Sequence, residues 1–222
     1  MLNKLWNAMK ENKKHLLLPS IIILLPILMG LILWNRLPDP MPVHFNAHNE
    51  ADGWSSKGFA VFVLPLIVLV LHWLCVLGSS FDKYNVRQHH KVFGLVYWIC
   101  PVVSLFCGGL MYSFALGYTW NVTRIMMPVL GVLFFAIGNY MPKVLPNKTL
   151  GIKLPWTYNS EKNWGATHRF GGKVWVLGGI LFLLSSFLDA GYIPVAFLVL
   201  LALMVGTPTL YSYLYYKKHG NE

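Results

Sequence analysis

Two stretches of this sequence concentrate side chains able to do chemistry. In the first, LPDPMPVHFNAHNEADGWSSKG, residues His44, Asn46, His48, Glu50, Asp52 and Lys57 crowd together, with Asn49 and Gly53 as turn formers and Trp54 as an interfacial anchor. His44, His48 and Asp52 are spaced by four and four, which on a helix would put two imidazoles and a carboxylate on one face, a donor set suited to zinc. Pro38, Pro40 and Pro42 fix three φ angles ahead of that set and Gly53 follows it, which argues against a regular helix. No metal and no cofactor is therefore assigned; His44, His48 and Asp52 are the candidates should an ion bind. The simpler account has Asp52 and Asn46 holding the loop's own backbone and His44 packed under Trp54.

The second stretch is GNYMPKVLPNKTLGIKLPWTYNSEKNWGATHRFGGK, residues 138–173. It is too long for an ordinary connection between helices. Trp156, Trp164, Tyr140, Tyr158, Leu150, Ile152 and Leu154 make it too apolar for a solvated linker, so it is read as ordered. Pro142, Pro146 and Pro155 keep residues 142–157 out of helix. Ser160 suits an N-cap and Glu161 the positive end of the helix that follows. On that helix Trp164, Thr167 and His168 share a face, which either lines a pocket with Asn139, Asn147 and Trp156 or packs on a helix bundle.

The elements that position these stretches are membrane spans. Of 222 residues 56% are hydrophobic and 12% charged, about half the charged fraction of a soluble protein. So much Leu, Ile, Val and Phe could not be hidden in a water-soluble core of this size, whereas lipid removes the need. The expected fold class is all-α, a polytopic integral membrane helical bundle with six transmembrane helices: Leu16–Trp34, Gly58–Gly78, Val92–Trp120, Ile125–Met141, a short Val174–Leu188 and Ile193–Tyr216. No A-x-A site follows the first run, which reads as a retained helix.

The formal charge of +10 comes from short basic clusters between apolar runs, the mark of membrane orientation and not of direct nucleic-acid binding. With both termini cytoplasmic, fifteen Lys and Arg residues fall inside and three (Arg36, Lys57 and Arg124) outside. The inner set includes Lys83, Arg87 and Lys91 between the second and third spans. This orientation makes residues 1–15 a cytoplasmic segment, puts the Pro-rich loop 38–57 of region 16–120 outside, and puts the loop 138–173 of region 121–222 inside.

Cys75, Cys100 and Cys107 lie in apolar runs and read as small core residues, not a disulfide framework. His72 lies within the second span; with Trp73 beside it, a structural role is favoured over a proton relay. No nucleophile elbow, zinc-protease, P-loop or paired-carboxylate signature is present.

The inner stretch resembles the signature of the SdpI family, bacterial membrane proteins named for immunity to a secreted sporulation-delaying peptide toxin. The outer stretch is similar to the small domain of unknown function that commonly precedes that signature. The residues carrying the resemblance are Pro42, His44, Phe45, Asn46, Asp52, Trp54 and Lys57 outside, and Gly138, Asn139, Pro142, Asn147, Gly151, Ile152, Pro155, Trp156, Thr157, Trp164, Thr167, His168 and Gly172 inside. Asn49 stands where a glycine is usual, an exchange tolerable because asparagine also enters left-handed backbone. Lys153 and Leu154 stand where an arginine is usual, which weakens any bidentate anion contact there. His48 lies outside the pattern.

The resemblance implies a binding protein of the cell membrane and not an enzyme. Its expected partners are a secreted peptide toxin at the outer loop, a cytoplasmic transcriptional repressor at the inner segment, and the lipid bilayer. The residues expected to meet ligand or partner are His44, Asn46, Asp52, Trp54, Lys57, Asn139, Pro142, Asn147, Trp156, Thr157, Trp164, Thr167 and His168. Two other classes stay open from the residues. One is a membrane-embedded enzyme, metal-dependent or not, using His44, Asp52 or His168. The other is a small transporter built on inverted three-span halves and His72.

Overall fold

Leu16 to Ile32 carries no charged side chain, and in the computed structural model it makes up most of α2 (Lys13–Ile32), which follows the short amphipathic α1 (Leu2–Glu11). The structure describes residues 2–46, 48–81 and 90–220, with side chains from residue 6 and, in the last stretch, from residue 92. Lys83 and Arg87, expected in the basic turn after the second span, lie outside the described residues, as does the side chain of Lys91.

Beyond α2 the chain forms a hairpin of β1 (Met41–Phe45) and β2 (Ala51–Ser55), then α3 (Leu64–Phe81), entered through a π-helical turn at Phe59–Val63. α4 (His90–Ala115), α5 (Val122–Tyr140), the one-turn α6 (Pro155–Tyr158), α7 (Glu161–Ser185) and α8 (Ile193–His219) complete the order. Among the described residues five stretches are long and apolar enough to cross a bilayer: Lys13–Ile32, Phe59–Phe81, Val92–Ala115, Val122–Lys143 and Ile193–His219. The chain is thus an all-α, multi-pass membrane protein whose small hairpin is the one sheet among the described residues.

The short span expected at Val174–Leu188 turns out to be the C-terminal part of α7, a continuous helix of 25 residues. At the α-helical rise it is about 37 Å long. Glu161, Lys162, Arg169 and Lys173 in its first half keep it outside the apolar five.

One compact unit contains α1, α2, the hairpin, α3 and the chain from Gly94 to Trp120. Its core gathers Leu37, Met41, Ala60, Val61, Met111 and Tyr112. α4 is tied to α2 by hydroxyls, since Ser104 donates to the carbonyl of Ile23 at 2.8 Å and Tyr112 to that of Pro26 at 2.7 Å. Such bonds hold helices together where lipid supplies no hydrophobic drive. His72 is fully buried, its Nε2 bonded at 2.9 Å to the His15 carbonyl while its Nδ1 has no hydrogen-bond partner among the described residues, and Trp73 donates to Ser20.

The other unit is built on residues from Asn121 onward. Asn121 caps α5 by accepting from the Arg124 N–H. α5 and α7 run antiparallel with two glycines each, seven residues apart, at their closest approach. A Cβ on Gly138 would lie 2.9 Å from the Gly172 carbonyl oxygen, and one on Gly131 2.7 Å from that of Gly179. Glycine here permits backbone contact between helices. Deeper in the unit Phe182 packs edge-on against Phe134 and Phe197 at 5.1 and 5.8 Å, within a core of Met127, Ile193 and Met204.

Candidate functional site

The outer candidates sit on the hairpin. Pro38, Pro40 and Pro42 deny helix, and the chain becomes strand instead: Met41 pairs with Ser55, Pro42 with Trp54, His44 with Gly53 and Phe45 with Ala51, with irregularities on either side of His44. The four-and-four spacing of His44, His48 and Asp52 therefore aligns nothing on a helix face. Among the described residues no three His, Cys, Asp or Glu side chains cluster as a metal site would require.

His44 and Asp52 do meet. His44 Nδ1 lies 2.6 Å from Asp52 Oδ1, with the two side chains 72% and 44% exposed. A hydrogen on Nδ1 donated to the carboxylate leaves Nε2 facing outward. Gly53 makes the approach feasible, since a Cβ there would stand 2.7 Å from the His44 Cβ. His44 is exposed, so it does not pack under Trp54 as the simpler sequence account had it.

The tip is held by Asn46, whose Oδ1 accepts from the N–H groups of His48 and Glu50 at 2.8 and 3.1 Å. Asn49 takes φ +66°, the left-handed backbone in which glycine would be usual. At the base, the Lys57 N–H donates to Asp39, and its ammonium donates to the Trp34 carbonyl at 3.1 Å while lying over the Trp34 ring. Trp54 remains 56% exposed. The hairpin is therefore a braced ribbon presenting an imidazole, a carboxylate and an indole to solvent or headgroups.

Most of the candidates within residues 138–173 form a closed polar network. Ser160 caps α7 by accepting from the Asn163 N–H at 3.0 Å. Trp164, Thr167 and His168 are buried to within 1% of full burial. Trp164 donates its indole N–H to the Val144 carbonyl at 2.8 Å and stacks on His168 at 4.2 Å. His168 Nε2 accepts from the Ile152 N–H at 3.0 Å, so its Nδ1 carries the hydrogen and donates to the Trp164 carbonyl at 2.8 Å. His168 lies in the polar first half of α7, ahead of the apolar stretch, and burial pulls its pKa below the usual 6.5. The ring is a neutral, single-tautomer clamp.

Gly151 approaches that ring with φ +106°, and a side chain there would collide with His168 Nε2. Asn147 folds its own loop, accepting from the N–H groups of Thr149 and Leu150 and donating to the Leu145 carbonyl. Thr157 Oγ1 accepts from the Leu154 N–H, and Trp156 donates to Ser212 on α8 at 2.9 Å. Asn139 and Pro142 stand apart from this network and line an open groove with Lys173. Of the two alternatives for the face of Trp164, Thr167 and His168, packing is what the structure shows, while Asn139 lies in a separate groove.

Sequence reasoning missed Asn163 and Ser212. Asn163 is fully buried, its Oδ1 accepting from Thr167 and Ser212 and its Nδ2 donating to the Ser212 carbonyl. The available signal was a short polar side chain, Ser212, inside the last apolar span.

Known proteins match along these same segments. Residues 21–69 match a domain of unknown function, DUF1648, and residues 143–212 match the SdpI/YfhL protein family. The chain is 28% identical over 213 residues to the immunity protein SdpI of Bacillus subtilis (strain 168), an alignment covering 95% of this chain and 98% of that one. No solved structure matches it. The clamp around His168, the Asn163–Ser212 link and the glycines that seat α7 all lie within or beside the second matched segment, so the part of this chain that is similar to the SdpI/YfhL family is the part that holds the buried network.

Proposed function

We propose that this chain is a cell-membrane immunity protein that binds a secreted antimicrobial peptide without catalysing a reaction. The observation carrying this reading is the near end-to-end alignment with a protein named for immunity, which spans both the hairpin and the inner network. The chemistry agrees with binding. The exposed His44–Asp52 pair and Trp54 offer charge, hydrogen bonds and an aromatic face to a cationic or amphipathic peptide. The bias of Lys and Arg supports an external hairpin and a cytoplasmic segment 138–173. A cytoplasmic repressor would then meet the exposed rim of that segment, at Lys153 and Tyr158, and not its sealed interior.

The test is survival of a toxin-sensitive host expressing the full chain, exposed to peptides encoded in the chain's own genome. Protection that falls at least tenfold in Trp54→Ala and in His44→Ala, at unchanged membrane abundance, supports the proposal. Survival equal to the empty vector with every such peptide removes it.

A further inference from the structure

Asn139 and Lys173 are polar residues that the inner network leaves unused, and they share one end of a groove of about 380 Å³ on the α5–α7 face. The antiparallel contact of Gly138 with Gly172 sets that register, placing Asn139 of α5 and Lys173 of α7 on the lining of the same groove. Neither side chain has a hydrogen-bond or carboxylate partner among the described residues.

Along α7 the lining continues through Val176, Leu177 and Ile180. With Lys173 these positions are i, i+3, i+4 and i+7, one helical face. The run from Lys173 to Ile180 covers roughly 10 Å of axis. Leu177 and Ile180 are 58% and 39% exposed, so the apolar wall is open to its surroundings. Asn139 sits in the last turn of a membrane span, the depth at which headgroups give way to acyl chains.

We propose that this groove holds an anionic phospholipid, its phosphodiester between Lys173 and Asn139 and an acyl chain along Val176, Leu177 and Ile180. Charge complementarity selects this occupant. An apolar helix laid in the groove would bury the ammonium unpaired, at high cost. A phosphate oxygen gives it a charge-assisted bond and accepts from the amide as well. A zwitterionic lipid brings a competing cation to the same anion.

The proposal is independent of the toxin and is tested on the purified full chain by native mass spectrometry. Phosphatidylglycerol and phosphatidylcholine of identical acyl chains are offered at equal concentration, with inorganic phosphate as a separate arm. The wild type should retain phosphatidylglycerol over phosphatidylcholine by about fivefold, the effect of one lysine near an anionic surface. Lys173→Gln should bring the two lipids to parity, Leu177→Trp should reduce retention of both, and Lys218→Gln, on α8, should behave as wild type. Equal retention by the wild type, a preference that survives Lys173→Gln, or uptake of inorganic phosphate in place of lipid would overturn the proposal. So would a dimer seated on this face that Leu177→Trp dissociates. Melting temperatures of the variants within a few degrees of wild type confirm that folded protein is compared.

Discussion

The backbone N–H of Ile152 ends on Nε2 of His168, 3.0 Å away and sixteen residues along the chain. A loop peptide is thereby satisfied by an imidazole, and that imidazole must be neutral to accept. Protonating it would turn acceptor into donor and set two N–H groups against each other.

Stability should therefore depend on acid. Burial lowers the pKa of folded His168 below 6.5, so the unfolded chain takes up the proton first as pH falls. The contribution is fully present above pH 6.5 and is lost progressively below it, down to the folded pKa. Melting in detergent from pH 7.5 to 5 should show a decline in wild type and a flatter profile in His168→Gln, whose amide oxygen can still accept. Parallel profiles would show that the clamp does not titrate.

Gly151→Ala should be more damaging than an ordinary loop substitution. The backbone stands at φ +106°, and the added carbon collides with the His168 ring. A loss of about 1–3 kcal/mol is expected from strained backbone alone. A fall in melting temperature with less protein recovered from membranes is the readout; an unchanged melt would mean that the loop rearranges freely.

Asn163 and Ser212 should couple. Each hydroxyl-to-amide bond in a membrane bundle contributes modestly, and the double-mutant cycle Asn163→Ala, Ser212→Ala should return an interaction energy of about 1 kcal/mol. Additive losses would place Ser212 with Trp156 alone.

Sidedness can be read by labelling. In a background without Cys75, Cys100 and Cys107, Glu50→Cys should react with an impermeant maleimide in intact cells. Asn159→Cys should react only after permeabilisation. Both positions are exposed, so access is decided by the membrane. Reaction of both from outside would refute the orientation read from Lys and Arg.

What the sequence made legible was what short-range physics controls. Apolar runs marked the spans, Ser160 the helix start, and helical spacing the common face of Trp164, Thr167 and His168. The ribbon was read only as extended chain, because pairing of Met41 with Ser55 depends on a turn whose tip is set by Asn46 and Asn49, not by hydrophobic alternation. The link between Asn163 and Ser212 crosses 49 residues and leaves no periodicity to find. The extent of α7 was cut short because its first half is charged, although Ser160 already pointed to the start.

The polar ties that cross from the inner segment to α8 impose an order of manufacture. Trp156 and Asn163 leave the ribosome before Ser212 exists, and at ordinary elongation speeds of about 5–20 residues per second their partner arrives seconds later. During that interval water must serve these donors, and the ties close only when the last helix docks.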